Sequence, residues 1–229
     1  MGKLKSASGW RFVMPVLGLL MLLVMVLYRD TTLYLAGLWT AWEDGGYSHG
    51  FLVLSLSGYI VYSKRAVLAH MVPCPCIYAL PFIAICALAW FMARIVDIQL
   101  VRTVLLLPLV MSVLWAVAGT RIALKLLLPV LFLALAFPIW SPLSPFLQQI
   151  TAQGAFWLTR LFGIPAFLQD FIIQLPSGQL SIEGACSGLH YLMAGLTLGV
   201  FSAWLNYRRL CHRILVVAVA AFTAIFANV

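Results

Sequence analysis

Seven stretches of this chain, residues 12–28, 45–63, 66–93, 103–120, 126–159, 184–207 and 214–229, contain no Asp, Glu, Lys or Arg. Each is near or above the roughly 17–25 residues that a helix needs to cross hydrocarbon. Of the 229 residues, 64% are apolar and 9% charged, against roughly 45–50% and about 25% in soluble domains, so a soluble fold could not solvate its own surface. The expected fold is an all-α integral membrane protein with about seven transmembrane helices, residues 1–229 forming a single polytopic domain. The first stretch reads as a retained signal anchor: it is longer than a typical h-region, lacks a small-x-small cleavage site and closes on Tyr28-Arg29-Asp30.

A formal charge of +8 would suggest nucleic acid in a polar chain. At a mean hydropathy of +1.07 it reads as a membrane signal instead, so membrane lipids are expected and nucleic acid is not. With the N-terminus in the cytoplasm and the sides alternating, Lys3, Lys5, Arg11, Lys64, Arg65, Arg121, Lys125, Arg208, Arg209 and Arg213 fall inside. All six acids, Asp30, Glu43, Asp44, Asp97, Asp170 and Glu183, fall outside with Arg29, Arg94, Arg102 and Arg160. That distribution satisfies the positive-inside rule.

This topology sorts the five cysteines. Cys74 and Cys76 fall at a cytoplasmic boundary, Cys86 lies inside a span, Cys211 is cytoplasmic, and Cys186 alone sits at the outer surface. Cys74-Pro-Cys76 reads as structural, since nothing nearby completes a four-ligand metal set, and Cys86 as core packing. A lone outer cysteine is either an inert buried thiol or a functional one.

The outer segment over residues 29–49 carries Trp39, Trp42, Glu43, Asp44, Gly45, Gly46, Tyr47, Ser48 and His49. It reads either as an aromatic anchor loop with a solvated histidine or as a polar rim in which His49 faces substrate. After Phe137-Pro138, with Pro142 and Pro145 marking a turn, the stretch from Phe146 to Phe162 is amphipathic and suits an outer interfacial helix. Phe171 to Leu175, the turn Pro176-Ser177-Gly178, and Gln179 to Glu183 then read as a short outer β-hairpin. Its second arm alternates Leu180 and Ile182 with Gln179, Ser181 and Glu183. Dinucleotide, Walker-type and zinc-protease patterns are absent, so no cofactor or metal is implied.

Chemistry concentrates in Ser181-Ile182-Glu183-Gly184-Ala185-Cys186-Ser187-Gly188-Leu189-His190-Tyr191-Leu192. Cys186 is expected in the first turn of the sixth span, where free N–H groups and the helix dipole favour a thiolate; lipid burial and Glu183 oppose this. Ser187 and Gly188 are small enough for a substrate backbone to approach the thiol. His190, four residues on, is expected one turn deeper on the same face, within reach of the sulfur. The competing reading makes Cys-Ser-Gly a small-residue packing surface and His190 a hydrogen-bonding partner of a neighbouring span. Ionisable residues at membrane depth favour function.

The Ala185-Cys186-Ser187-Gly188-Leu189 core with its preceding Glu183, the upstream Gly163-Ile164-Pro165, the closing Ala227-Asn228, and Trp42 with Tyr47-Ser48-His49-Gly50 resemble the exosortases. These are multi-span bacterial transpeptidases related to archaeosortases. The resemblance implies that Cys186 is the nucleophile, attacking a peptide bond near a C-terminal sorting signal of a secreted protein. Such a signal combines a Pro-Glu-Pro-type motif, a transmembrane helix and a basic tail. The implied product is a thioester, passed on to an acceptor at the outer face of the inner membrane, often in cells making exopolysaccharide. His190 is an auxiliary candidate, and His49, Glu183, Ser187 and Gly188 are candidate substrate-facing positions.

The family pattern also has an Arg about three residues after the Asn, and a later His. Both would fall beyond Val229, so the chain is expected to be incomplete at its C-terminus. Arg208, Arg209 and Arg213 cannot replace them, lying at the other end of the helix, about 30 Å away. The alternative function is a catalytically incomplete membrane protein that docks sorting-signal helices or acts as a scaffold. A solute transporter fits poorly, because no pair of spans shows matched Gly/Pro breaks flanking midplane charges.

Overall fold

The computed structural model describes residues 2–41 and 47–229, with side chains from residue 9 onward. Trp42, Glu43, Asp44, Gly45 and Gly46 of the outer segment lie outside the described residues. The chain divides into two compact units, Met1–Thr40 with Gly50–Ile139, and Ala41–His49 with Trp140–Val229.

The first unit holds α1 (Gly2–Leu27), α2 (Arg29–Thr40), α3 (Gly50–Ser63), α4 (Arg65–His70), α5 (Leu80–Ile95), α6 (Gln99–Val104), α7 (Leu106–Ala118) and α8 (Thr120–Phe132). Leu114, Ala118, Ile122, Leu126 and Val130 recur every four residues across α7 and α8 and are buried with Leu68, packed by Trp10, Leu17 and Met21. Pro129 inside α8 removes the N–H that would bond Lys125 O. The Lys64 ammonium donates to that carbonyl at 3.0 Å instead. Burial, and secondly Lys125, push the Lys64 ammonium below the usual lysine pKa. At another point of the unit Arg94 pairs with Asp30 at 3.3 Å and Arg102 with Asp97 at 2.8 Å. Cys74 and Cys76 donate their backbone N–H groups to Ala118 O and Ala116 O, satisfying carbonyls at the end of α7.

The second unit holds α9 (Ser144–Leu161), β1 (Phe167–Gln169), β2 (Ile172–Leu175), β3 (Gly178–Ser181), α10 (Leu189–Asn206) and α11 (Leu210–Asn228). Gly195 and Gly199 on α10 face Ala224 and Ala220 on α11, a small-residue seam that lets the two backbones approach closely. Leu189, Leu192 and Met193 pack on Leu147 of α9. The strands form an antiparallel sheet in the order β1-β2-β3. The expected hairpin is therefore β2-β3, and the structure adds a third strand. Three residues, Phe-Leu-Gln, are too few to show an alternating pattern; a tight turn with Asp170 at φ 54 folds them onto β2.

Among the described residues, five helical stretches are long and apolar enough to cross a membrane: Gly9–Leu27, Ile77–Ile95, Gln99–Ala118, Gly184–Asn206 and Leu210–Asn228. Thr120–Ala136 with Pro138–Leu161 makes a sixth if that pair is one broken span. Five or six of the expected seven spans thus stand on length and composition, because charge-free composition does not register where the backbone breaks. Residues 47–63 yield the 14-residue α3, about 21 Å of helix against a core of roughly 30 Å.

Candidate active site

The site is assembled by α9, the end of the sheet and the end of α11. Gly184–Ser187 forms a 3-10 turn whose start is closed by Cys186 N–H donating to Glu183 O at 2.9 Å. Gly188 then adopts φ 73, a left-handed conformation natural to glycine, and α10 begins only at Leu189. Cys186 therefore lies in the turn before the helix and not in its first turn, which corrects the expected placement. The intervening Gly188 also breaks the regular spacing that would set His190 on the same face as the thiol. Among the described residues, the Cys186 thiol makes no hydrogen bond.

The polar residues of α9 hold this turn in place. Ser144, Gln148 and Thr151 are four and three residues apart and share one face of the helix. Ser144 Oγ donates to Ser187 Oγ at 3.0 Å, and Gln148 Nε2 donates to Ile182 O. Thr151 Oγ1 accepts from Asn228 Nδ2 at 2.8 Å. The same amide nitrogen donates to Cys186 O at 3.0 Å. Two elements far apart in sequence, α9 and the end of α11, thus hold one four-residue turn. The amphipathic stretch forms the expected helix, but its polar stripe faces protein.

A cleft of about 400 Å³ opens beside the turn, lined by Thr151, Ala155, Leu180, Ser181, Ile182, Ala185, Cys186, Tyr191 and Asn228. That volume falls in the roughly 300–1,000 Å³ range of ligand sites. Cys186 is exposed to it. The apolar face of the sheet is covered at Ile173 and Ile182, buried with Ala152, and opens at Leu180, which is 49% exposed.

The other candidate residues are distributed differently. Glu183 is exposed and caps the turn through its backbone carbonyl. Ser187 is buried with its hydroxyl engaged by Ser144. Gly188 is also buried, and a Cβ built on it would stand 2.4 Å from Asn228 Cγ. Neither Ser187 nor Gly188 lines the cleft; tight packing takes up the space their small size leaves. His190 is half-buried on α10. The ring of His49 packs on Tyr47 with centroids 5.7 Å apart. Neither histidine lines the cleft of Cys186.

Asn228 and Thr151 were not among the sequence candidates. The signal for Asn228 was available: a carboxamide at the end of an otherwise apolar helix is costly unless it has partners. For Thr151 the signal was its place on the polar stripe.

The family model for transmembrane exosortases matches residues 39–229, which include both the cleft and the elements that hold the Cys186 turn. Nothing among curated proteins or solved structures matches the chain significantly. Exosortases are, as a family, cysteine transpeptidases. The chain belongs to the transmembrane exosortase family.

Proposed function

We propose that the protein is a membrane-embedded cysteine transpeptidase that cleaves secreted proteins at a C-terminal sorting signal of Pro-Glu-Pro type and transfers them to an acceptor. The observation that carries this reading is the exposed Cys186 in a cleft of about 400 Å³, its turn fixed by Asn228 and Ser144. Sγ attacks the scissile carbonyl, forming a C–S bond. Collapse of the tetrahedral intermediate breaks the C–N bond, and the proton given up by the thiol leaves with the amine. The acceptor nucleophile then attacks the thioester and the C–S bond breaks. A fixed turn serves this sequence because a misplaced nucleophile forfeits most of the advantage of a bound substrate.

The topology proposed with it has the N-terminus in the cytoplasm, seven crossings that count α3 and the broken pair, and Cys186 on the outer face of the bacterial inner membrane. The whole chain, 1–229, is read as one polytopic domain. Support comes from the side-by-side charges: Asp30 with Arg94, assigned to the outer face, and Lys64 beside Lys125, assigned to the cytoplasm. The test is labelling of spheroplasts with a thiol reagent that cannot cross membranes. Cys186 should react from outside, and Cys211, equally exposed, only after permeabilisation. Labelling of Cys211 from outside would invert the topology and remove the cleft from the face where product must leave.

A further inference from the structure

We propose that the free edge of β3 seats the substrate's main chain: an extended peptide adds as a fourth strand beside Gln179 and Ser181, and this brings its scissile bond to Cys186. The inference rests on the peptide-transfer reading above. It starts from the hydrogen-bond pattern of the sheet. Ile182 N–H donates to Phe171 O at 2.8 Å. In an antiparallel ladder the bonded pairs alternate with unbonded ones, so with Ile173 opposite Leu180 and Leu175 opposite Gly178, the unbonded pairs are Ile172 with Ser181 and Gln174 with Gln179. The N–H and C=O groups of Gln179 and Ser181 therefore point away from β2, to the open edge.

Every residue of β3 is exposed, and among the described residues no further strand pairs with that edge. Open backbone groups are not tolerated in hydrocarbon; the edge must face water or another chain. An extended peptide carries the matching alternation of donors and acceptors, and strand addition is a general way to bind one irrespective of its side chains. The edge also leads into the chemistry. Ser181 and Ile182 line the same cleft as Cys186, and the Glu183–Cys186 turn joins strand to thiol. A second copy is a poorer occupant, since a four-residue edge is short for stable pairing between folded proteins.

The test uses the full-length protein carrying Cys186→Ala, in lipid nanodiscs, so that binding is read without turnover. The probe is a semisynthetic sorting segment with its transmembrane helix and a Pro-Glu-Pro motif. Its Glu carries the one main-chain N–H between two prolines that lack theirs. A second probe replaces that amide by an ester, which removes the donor and keeps the side chains. Added to the Cys186→Ala protein, Ser181→Pro removes the outward N–H of the edge while sparing the bonds to β2, a position where proline is tolerated in strands. Binding should weaken by about tenfold for the ester probe and by about tenfold for Ser181→Pro, each leaving a polar partner unpaired. Circular dichroism and thermal unfolding monitor whether the variant keeps its fold; if it does not, the ester probe still decides on the unaltered strand. Equal binding of the amide and ester probes overturns the edge proposal alone. Failure to bind the amide probe at all overturns the peptide-transfer reading with it. A dimer that Ser181→Pro dissolves, with probe binding untouched, assigns the edge to a second copy and also overturns the proposal.

Discussion

Cys186→Ala is expected to stop processing of a reporter carrying a C-terminal sorting signal, by roughly a thousandfold or more, in the way that removing a nucleophile does in other acyl-transfer enzymes. The variant should still insert and fold. The thiol is exposed and makes no hydrogen bond among the described residues, whereas the bonds that fix the turn, Cys186 N–H to Glu183 O and Asn228 Nδ2 to Cys186 O, involve only the backbone of this residue. Alanine keeps both. Stability should therefore change by no more than about 0.5 kcal/mol, as for other exposed substitutions. Immunoblots of the reporter read the first effect, and membrane yield with thermal unfolding in detergent reads the second. Processing at the wild-type rate would place the nucleophile elsewhere.

Gly188→Ala should lower processing less steeply, and by a different route that also costs stability. At φ 73 a side chain costs about 1–2 kcal/mol, and the added Cβ would meet Asn228 Cγ at 2.4 Å and Nδ2 at 2.6 Å. Asn228 must then move, and it carries the bonds to Thr151 and to Cys186 O. Strain and overpacking together should cost about 2–4 kcal/mol and lower reporter processing at least about tenfold. A double-mutant cycle separates the two causes. If the collision with Asn228 matters, Gly188→Ala with Asn228→Ala will be less destabilised than the two single changes summed. Simple additivity would leave backbone strain alone as the cause.

The helices were legible in the sequence because a run without charges can be read residue by residue. Where they stop is set by local backbone events that composition does not see. Gly188 illustrates this: as a small residue beside a cysteine it suggests room for substrate, but its contact with Asn228 exists only once α11 lies along α10. The site divides in the same way. Cys186 stands out through the motif around it. Asn228 bonds Cys186 from 42 positions away in the chain and Ser144 bonds Ser187 from 43, and no local pattern encodes such pairings. The stripe of Ser144, Gln148 and Thr151 shows the limit most directly. Periodicity correctly gathers polar residues on one side of α9 but is silent on what that side meets, and solvent at an interface and the polar groups of Ile182, Ser187 and Asn228 demand the same side chains.

The central claim is that Cys186 carries the acyl group between donor and acceptor. Its most direct measurement is mass spectrometry of the full-length protein, acid-quenched after mixing with a sorting-signal substrate in the absence of acceptor. The peptide containing Cys186 should gain the mass of the substrate's acyl portion and lose it on treatment with hydroxylamine, as a thioester does. Substrate cleaved while Cys186 stays unmodified, or an adduct on another residue, would contradict it.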